Sequence, residues 1–257
     1  MSYCVYLKRK QTLPLEPVAR LIAAIPGLTL ADGQQMVRRC RGFLIEHLEL
    51  GDAEKLVQEL KSLGVTAESR QIRELASNPP AIYVRAARFN PETYTVQDWR
   101  SQESTYLWED VILMSVCGLK ELEVPEPLKK NLKPDGFPEA IEDEKPDGKT
   151  KIDWLLDFYV DQPRLHFRIR SDEFRYDYLG DRLQRSSVAN FASMLQDLEK
   201  YGLNAHKDDG FAAALDARWG SVQQFTAVYE VDEYHRWLLQ AFSSEPRRME
   251  MLKSLKK

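Results

Sequence analysis

Cofactor-binding residue types are scarce in this chain of 257 residues, which holds three cysteines, four histidines and twelve glycines. Cys4, Cys40 and Cys117 lie far apart with no Cys-x-x-Cys spacing, so neither a zinc knuckle nor a disulfide framework is expected. They read as reduced thiols in a cytoplasmic protein. His47, His166, His206 and His235 share no i+2 or i+4 spacing, and no His-Glu-x-x-His run occurs, so no metal is expected. Gly-x-Gly-x-x-Gly and Gly-x-x-x-x-Gly-Lys-Ser/Thr are both missing, which argues against a phosphate-cradling loop, and no Gly-x-Ser-x-Gly elbow is present. No cofactor is expected. No run of about eighteen apolar residues occurs, so no membrane span is expected. The first apolar stretch, Tyr3 to Leu7, meets Lys8-Arg9-Lys10 too soon for a secretory signal. Excess positive charge is missing as well. Net charge is −4 with acids and bases interspersed, so no nucleic-acid partner is expected and any basic face would have to be local.

What the chain does have is core material. Residues are 43% hydrophobic, 10% aromatic and 30% charged, the composition of a globular protein, and the length predicts two or three modules. The first runs from residue 1 to 73. Tyr3 to Leu7 is β-prone. Leu15, Val18, Leu21, Ile22 and Ile25 recur at helical spacing until Pro26-Gly27 stops them. Thr29 with Asp32 three residues on resembles a capping box opening a second helix, with Met36 and Val37 inward. Phe43-Leu44-Ile45 reads as a strand. A helix opened by Asp52 buries Ala53, Leu56, Val57, Leu60 and Leu63, Gly64 ends it, and Val65 to Gln71 reads as a strand.

This order of elements resembles the C-terminal domain of the bacterial ribosomal stalk protein. Ile22 to Leu30, Val37, Phe43 to Leu48, Asp52 to Leu60 and Leu63-Gly64-Val65 carry the resemblance. The ClpS protease adaptor is similar in fold. The resemblance implies a partner-binding αβ module. In the stalk family a basic surface on the first two helices captures translation factors. Ala19 to Ile25 lacks most of those basic residues, and the peptide-holding residues of ClpS have no match, so the fold is what carries over. In overall order the chain resembles uncharacterised bacterial proteins.

Asn78-Pro79-Pro80 is a stiff break, and strands dominate a second module over 81–202. Residues 118–151 hold five prolines and many acids and read as an exposed, mobile insertion. A hairpin follows. With Asp161-Gln162 as its two-residue loop, Phe158 faces Leu165, Leu156 faces Phe167 and Trp154 faces Ile169 on an apolar side. The other side pairs Tyr159 with Arg164, Asp157 with His166 and Leu155 with Arg168. Phe174 to Tyr178 reads as a further strand, and Ser186-Ser187 caps a helix ended by Gly202. Seven short strands and a helix resemble a pleckstrin-homology-like (PH-like) domain by element order alone. Its first hairpin offers only Arg85 and Arg88 beside Glu92, so lipid-head binding is not implied. Residues 203–257 read as a helical appendage and tail, with Tyr234 and Trp237 in a core. The expected class is α+β: a small ClpS/ribosomal-stalk-like domain, then a PH-like antiparallel β domain with C-terminal helices.

Two constellations invite a chemical reading. Asp157 and His166 could form half of an acid–base device, or an ordinary cross-strand pair on a solvated face. His166, Arg168, Arg170 and Arg175 with Tyr159 and Tyr176 could receive an anionic ligand or a partner, since Arg and Tyr are favoured at interfaces. The leading expectation is a non-enzymatic adaptor or scaffold for a protein partner, with room for self-association. Alternatives are an anionic-ligand or phosphopeptide receptor on the Arg/Tyr face, and a hydrolase-type enzyme using Asp157 and His166.

Overall fold

In the computed structural model, residues 1–75, 78–122 and 150–243 are described. The protein is of the α+β class and divides into two units. Unit 1 comprises Met1–Asn78 and the chain from Tyr229 on, and unit 2 comprises Pro79–Val228. The break at Asn78/Pro79 coincides with the tandem prolines. The return of the chain to unit 1 does not fit an appendage over 203–257. Residues up to 228 belong to unit 2 and those beyond to unit 1.

Unit 1 opens with the expected series: β1 (Tyr3–Leu7), α1 (Leu15–Ala23), α2 (Leu30–Arg39), β2 (Phe43–Leu48), α3 (Leu50–Ser62) and β3 (Ala67–Gln71). The sheet is antiparallel in the order β2-β1-β3. Local chemistry explains the boundaries. The Thr29 hydroxyl accepts from the Asp32 amide while the Asp32 carboxylate accepts from the Thr29 amide, a reciprocal cap that starts α2. The Thr29 hydroxyl, donating to the Asp32 carboxylate at 2.6 Å, and then the Thr29 amide hold the Asp32 carboxyl below its ordinary 3.8. Gly64 takes φ +75° just past α3, a left-handed position that a side chain would strain. Val18, Ile22, Val37, Leu56 and Leu60 close over Val5 and Leu7 to make the core.

A last helix, α6 (Val228–Ser243), completes unit 1 from Tyr229 onward. The Trp237 indole donates to the Leu7 carbonyl at 2.5 Å, and Gly42 lies so close that a Cβ there would fall 1.9 Å from the indole Cγ. Arg236 lies over the Phe43 ring at 4.5 Å and pairs with Glu46. Trp237 and Tyr234 are buried, as their helical spacing predicts.

Unit 2 is built on a sheet in the order β10-β7-β8-β9-β4-β5-β6, with β11 also on β7. Its strands are β4 (Ala81–Phe89), β5 (Thr93–Asp98), β6 (Glu103–Leu107), β7 (Val111–Leu122), β8 (Thr150–Val160), β9 (Leu165–Arg170), β10 (His206–Lys207) and β11 (Gln224–Phe225). Two helices, α4 (Ser187–Tyr201) and α5 (Asp209–Leu215), complete it. The sheet is mixed: β4 runs parallel to β9, and β10 and β11 run parallel to β7. Phe174 to Tyr178 makes only a single parallel bridge, Ala86 to Arg175, before a 3-10 turn over Asp177–Arg182. β7 and β8 reach Leu122 and Thr150, inside the stretch expected to be an insertion, and 123–149 lie outside the described residues. The core joins Tyr94, Trp108, Phe158 and Phe167 to Phe191, Met194, Leu195 and Leu198 of α4. Asp208 ties α5 to the sheet, accepting from the Ser115 hydroxyl at 2.7 Å and the Phe211 amide at 2.8 Å.

The β8–β9 hairpin keeps its expected faces but shifts register by two residues. Phe158 pairs with Phe167, Leu156 with Ile169, Asp157 with Arg168 and Tyr159 with His166. The expected register would set Pro163 opposite Val160, where it has no N–H to give the ladder. The loop instead absorbs residues 161–164, and Val160 pairs with Leu165. A shift of two leaves every side chain on its face.

Candidate binding site

The polar side of β8–β9 is buried and is not the solvated face expected of it. Asp157, His166 and Arg168 are at most 1% exposed, and Tyr159 is 2% exposed. One carboxylate oxygen of Asp157 meets both neighbours: Arg168 Nε donates to Oδ1 at 2.6 Å, and His166 Nε2 lies 2.5 Å from it. The other imidazole nitrogen, Nδ1, is 3.2 Å from the Pro79 carbonyl, and the Tyr159 ring stacks on the imidazole at 4.2 Å. Asp157 and His166 do meet, as their alternation implied. Yet both ring nitrogens are engaged and no surface is exposed, so the geometry holds the imidazole in place without offering a lone pair to a substrate.

The remaining candidates disperse. Arg170 is surrounded by carboxylates: Nε donates to Asp153 Oδ2 at 2.5 Å, with Glu121 at 2.5 Å and Glu173 at 3.2 Å. Tyr176 is buried and donates to the Ser171 carbonyl at 2.9 Å; burial pushes its phenol well above the ordinary range. Arg175 is exposed and pairs with Asp177 at 2.5 Å. His166, Arg168, Arg170, Arg175, Tyr159 and Tyr176 therefore do not form one open anion-receiving face. A concavity of about 360 Å³ over β4–β6 contains Arg175 and Arg88, but Asp177 and Glu103 match them charge for charge.

Unit 1 offers a different arrangement. The antiparallel pairing of β1 and β2 brings Leu7 beside Gly42, with the Leu7 amide donating to the Gly42 carbonyl at 2.8 Å. That pairing sets Lys8-Arg9-Lys10, which leaves β1, at the end of the sheet where Arg41 leads into β2; Arg38 and Arg39 form the last turn of α2. Gln11 pins the first loop, donating to the Thr66 carbonyl at 2.9 Å and accepting from its amide at 3.2 Å. A groove of about 230 Å³ is lined by Leu7, Gln11, Leu13, Leu15, Val37, Arg38 and Cys40.

The charges around this groove are uneven. Lys8 pairs with Glu68 at 3.5 Å and Arg41 with Glu230 at 3.5 Å. Arg9, Lys10, Arg38 and Arg39 are exposed, and among the described residues no ion pair engages them. An apolar floor with the exposed cation Arg38 on it suits a segment that carries both apolar and acidic side chains. Burial raises the Cys40 thiol, so it stays protonated and serves as floor.

No family model, curated protein or solved structure matches the chain. Among the described residues no helix is long and apolar enough to cross a membrane. The groove escaped a reading of local periodicity because its lining comes from two stretches separated in sequence, Leu7 to Leu15 and Val37 to Cys40, that only the fold brings together. The available signal was the Arg38-Arg39-Cys40-Arg41 run at the end of a helix.

Proposed function

We propose that this chain is a non-enzymatic adaptor that holds an acidic, partly apolar segment of a partner protein in the unit 1 groove. The observation that carries the reading is exposed Arg38 on the Leu13, Leu15 and Val37 floor, with Arg39 beside it in sequence and exposed Arg9 and Lys10 on the loop that supplies Gln11 to the same groove. The resemblance of the first 73 residues to partner-binding stalk and ClpS modules points the same way. Three free cysteines fit a reducing, cytoplasmic setting. A protein segment is favoured over nucleic acid because the floor is aliphatic and lacks the aromatic platforms on which bases stack. The receptor and hydrolase readings draw less support, since Arg168 and His166 are both 1% exposed and bonded to Asp157.

The test is titration of the full chain into fluorescent peptides of matched length, one acidic and apolar, one acidic only and one basic, beside a single-stranded RNA. Binding should rank the acidic, apolar peptide first, weaken as salt rises, and fall at least tenfold in Arg38→Glu/Arg39→Glu with an unchanged melting temperature, because rim charges act through exposed, screened attraction. Preference for RNA would replace the reading with a nucleic-acid one. Equal affinity of the variant would remove it.

A further inference from the structure

We propose that β6 is an open pairing edge through which two copies of this chain join antiparallel, strand to strand. The inference is independent of the unit 1 groove and goes beyond it. Among the described residues β6 ends the unit 2 sheet and pairs only with β5. Its backbone polarity can be read from the hairpin. The Asp98 amide donates to the Gln102 carbonyl at 3.1 Å, and the register then runs unbroken from Gln97↔Glu103 to Thr93↔Leu107. Hydrogen-bonded and non-hydrogen-bonded pairs alternate in an antiparallel ladder. Val96↔Ser104 and Tyr94↔Tyr106 therefore exchange bonds, in phase with the Trp108 amide donating to the Glu92 carbonyl at 3.4 Å. Glu103, Thr105 and Leu107 occupy the other phase. Their N–H and C=O groups point away from β5, toward the edge.

Edge strands are usually defended by lysine, proline, a bulge or a covering element. β6 reads Glu-Ser-Thr-Tyr-Leu, its pairing with β5 has no irregularity, and four of its five residues are exposed. Its one charge, Glu103, is already paired with Arg88 at 2.7 Å. Leu107 is left 44% exposed.

A second copy fits this edge by symmetry. A two-fold axis at Thr105 sets Thr105 against Thr105, Glu103 against Leu107 and Ser104 against Tyr106. Every residue of the strand then has a partner, and all three outward-facing residues meet outward-facing residues. The two Glu103 carboxylates stand four positions apart, roughly 14 Å at strand rise, beyond the screening length at physiological salt. An axis at Glu103 would oppose like charges, and one at Leu107 would pair only the strand end. The contact is short, well below the roughly 1,600 Å² of a standard interface, so the dimer is reversible and concentration-dependent.

The test is sedimentation equilibrium of the full chain over about a thousandfold range of concentration that spans micromolar dissociation constants. It compares the wild type with Thr105→Pro and Thr105→Val. Proline removes the outward N–H and no backbone bond to β5, so unit 2 should keep its fold; the Thr105–Thr95 hydroxyl contact at 2.9 Å is lost in both variants and cancels between them. Valine keeps the N–H. The expected result is a monomer–dimer equilibrium in the wild type and Thr105→Val, and at least tenfold weaker association in Thr105→Pro. A wild type monomeric throughout, or a folded Thr105→Pro that dimerises as well, overturns the proposal. If Thr105→Pro fails to fold, amide exchange of the wild type decides. The Glu103, Thr105 and Leu107 amides should gain protection as concentration rises, and protection independent of concentration overturns the proposal.

Discussion

Arg168 lies 1% exposed with its Nε 2.6 Å from the Asp157 carboxylate. Attraction in such a place is offset by the cost of taking both ions from water, so the pair adds little net stability. Removing one member is a different matter, because the other stays buried. Arg168→Leu should cost about 3–5 kcal/mol on that ground, and Asp157→Leu/Arg168→Leu should recover part of the loss. Urea unfolding followed by exchange of the β8 and β9 amides measures both, and a double variant no better than the single would refute the account. Asp32 behaves oppositely, being at the surface. The Thr29 hydroxyl and amide hold its carboxyl below 3.8 in the folded state. A depressed folded value means the stabilisation is present above the unfolded value and is lost as pH falls through the folded one. Asp32→Asn should therefore melt below the wild type at neutral pH, and the gap should close at acid pH. Melting curves at stepped pH check the sign, and a gap that widens on acidification would reverse it.

Between elements, close approach outweighs propensity. Gly33 is buried in α2, where alanine would gain about 1 kcal/mol of helix propensity. A Cβ there would fall 2.4 Å from the Ala19 carbonyl oxygen on α1. Backbone cannot move aside as a side-chain tip can, and overpacking costs about 1–3 kcal/mol or more. Gly33→Ala should thus destabilise unit 1 by separating α1 from α2, with a lowered melting temperature as the readout; a rise would show that propensity wins. The elements of unit 1 were legible because their signals are local: the Thr29–Asp32 cap, the α3 periodicity and the left-handed Gly64. The reason for Gly33 was not, since it lies in a neighbouring helix. The β8–β9 hairpin divides the same way. Alternation assigns faces at period two, so Asp157 and His166 were correctly placed together, but it cannot tell registers that differ by two. Nor could alternation reveal that the polar face is buried, because an Asp, a His and an Arg in mutual contact look like any solvated row.

At the scale of the whole molecule, the feature hidden from the sequence is that unit 1 is assembled from two distant chain segments. The spacing of Tyr234 and Trp237 shows that α6 buries a face, while a periodicity never names what it is buried against. Here Trp237 meets Leu7 and Gly42, more than 190 residues earlier in the chain. Trp237→Ala removes the indole bond to the Leu7 carbonyl and leaves a cavity, a change costing about 3–5 kcal/mol. Exchange protection of the Leu7 amide should fall, while the β7 and β8 amides of unit 2 keep theirs. Gly42 gives the sharper test. Its φ of +123° disfavours any side chain, and the indole occupies the space where a Cβ would sit. Gly42→Ala thus meets two penalties in the wild type, backbone strain of about 1–3 kcal/mol and the clash with Trp237. Only the strain persists once Trp237 is alanine. The two substitutions should combine to less than the sum of their separate costs, with the shortfall reporting the clash. Full additivity would mean that α6 does not pack on Gly42, and the two-segment construction of unit 1 would fall with it.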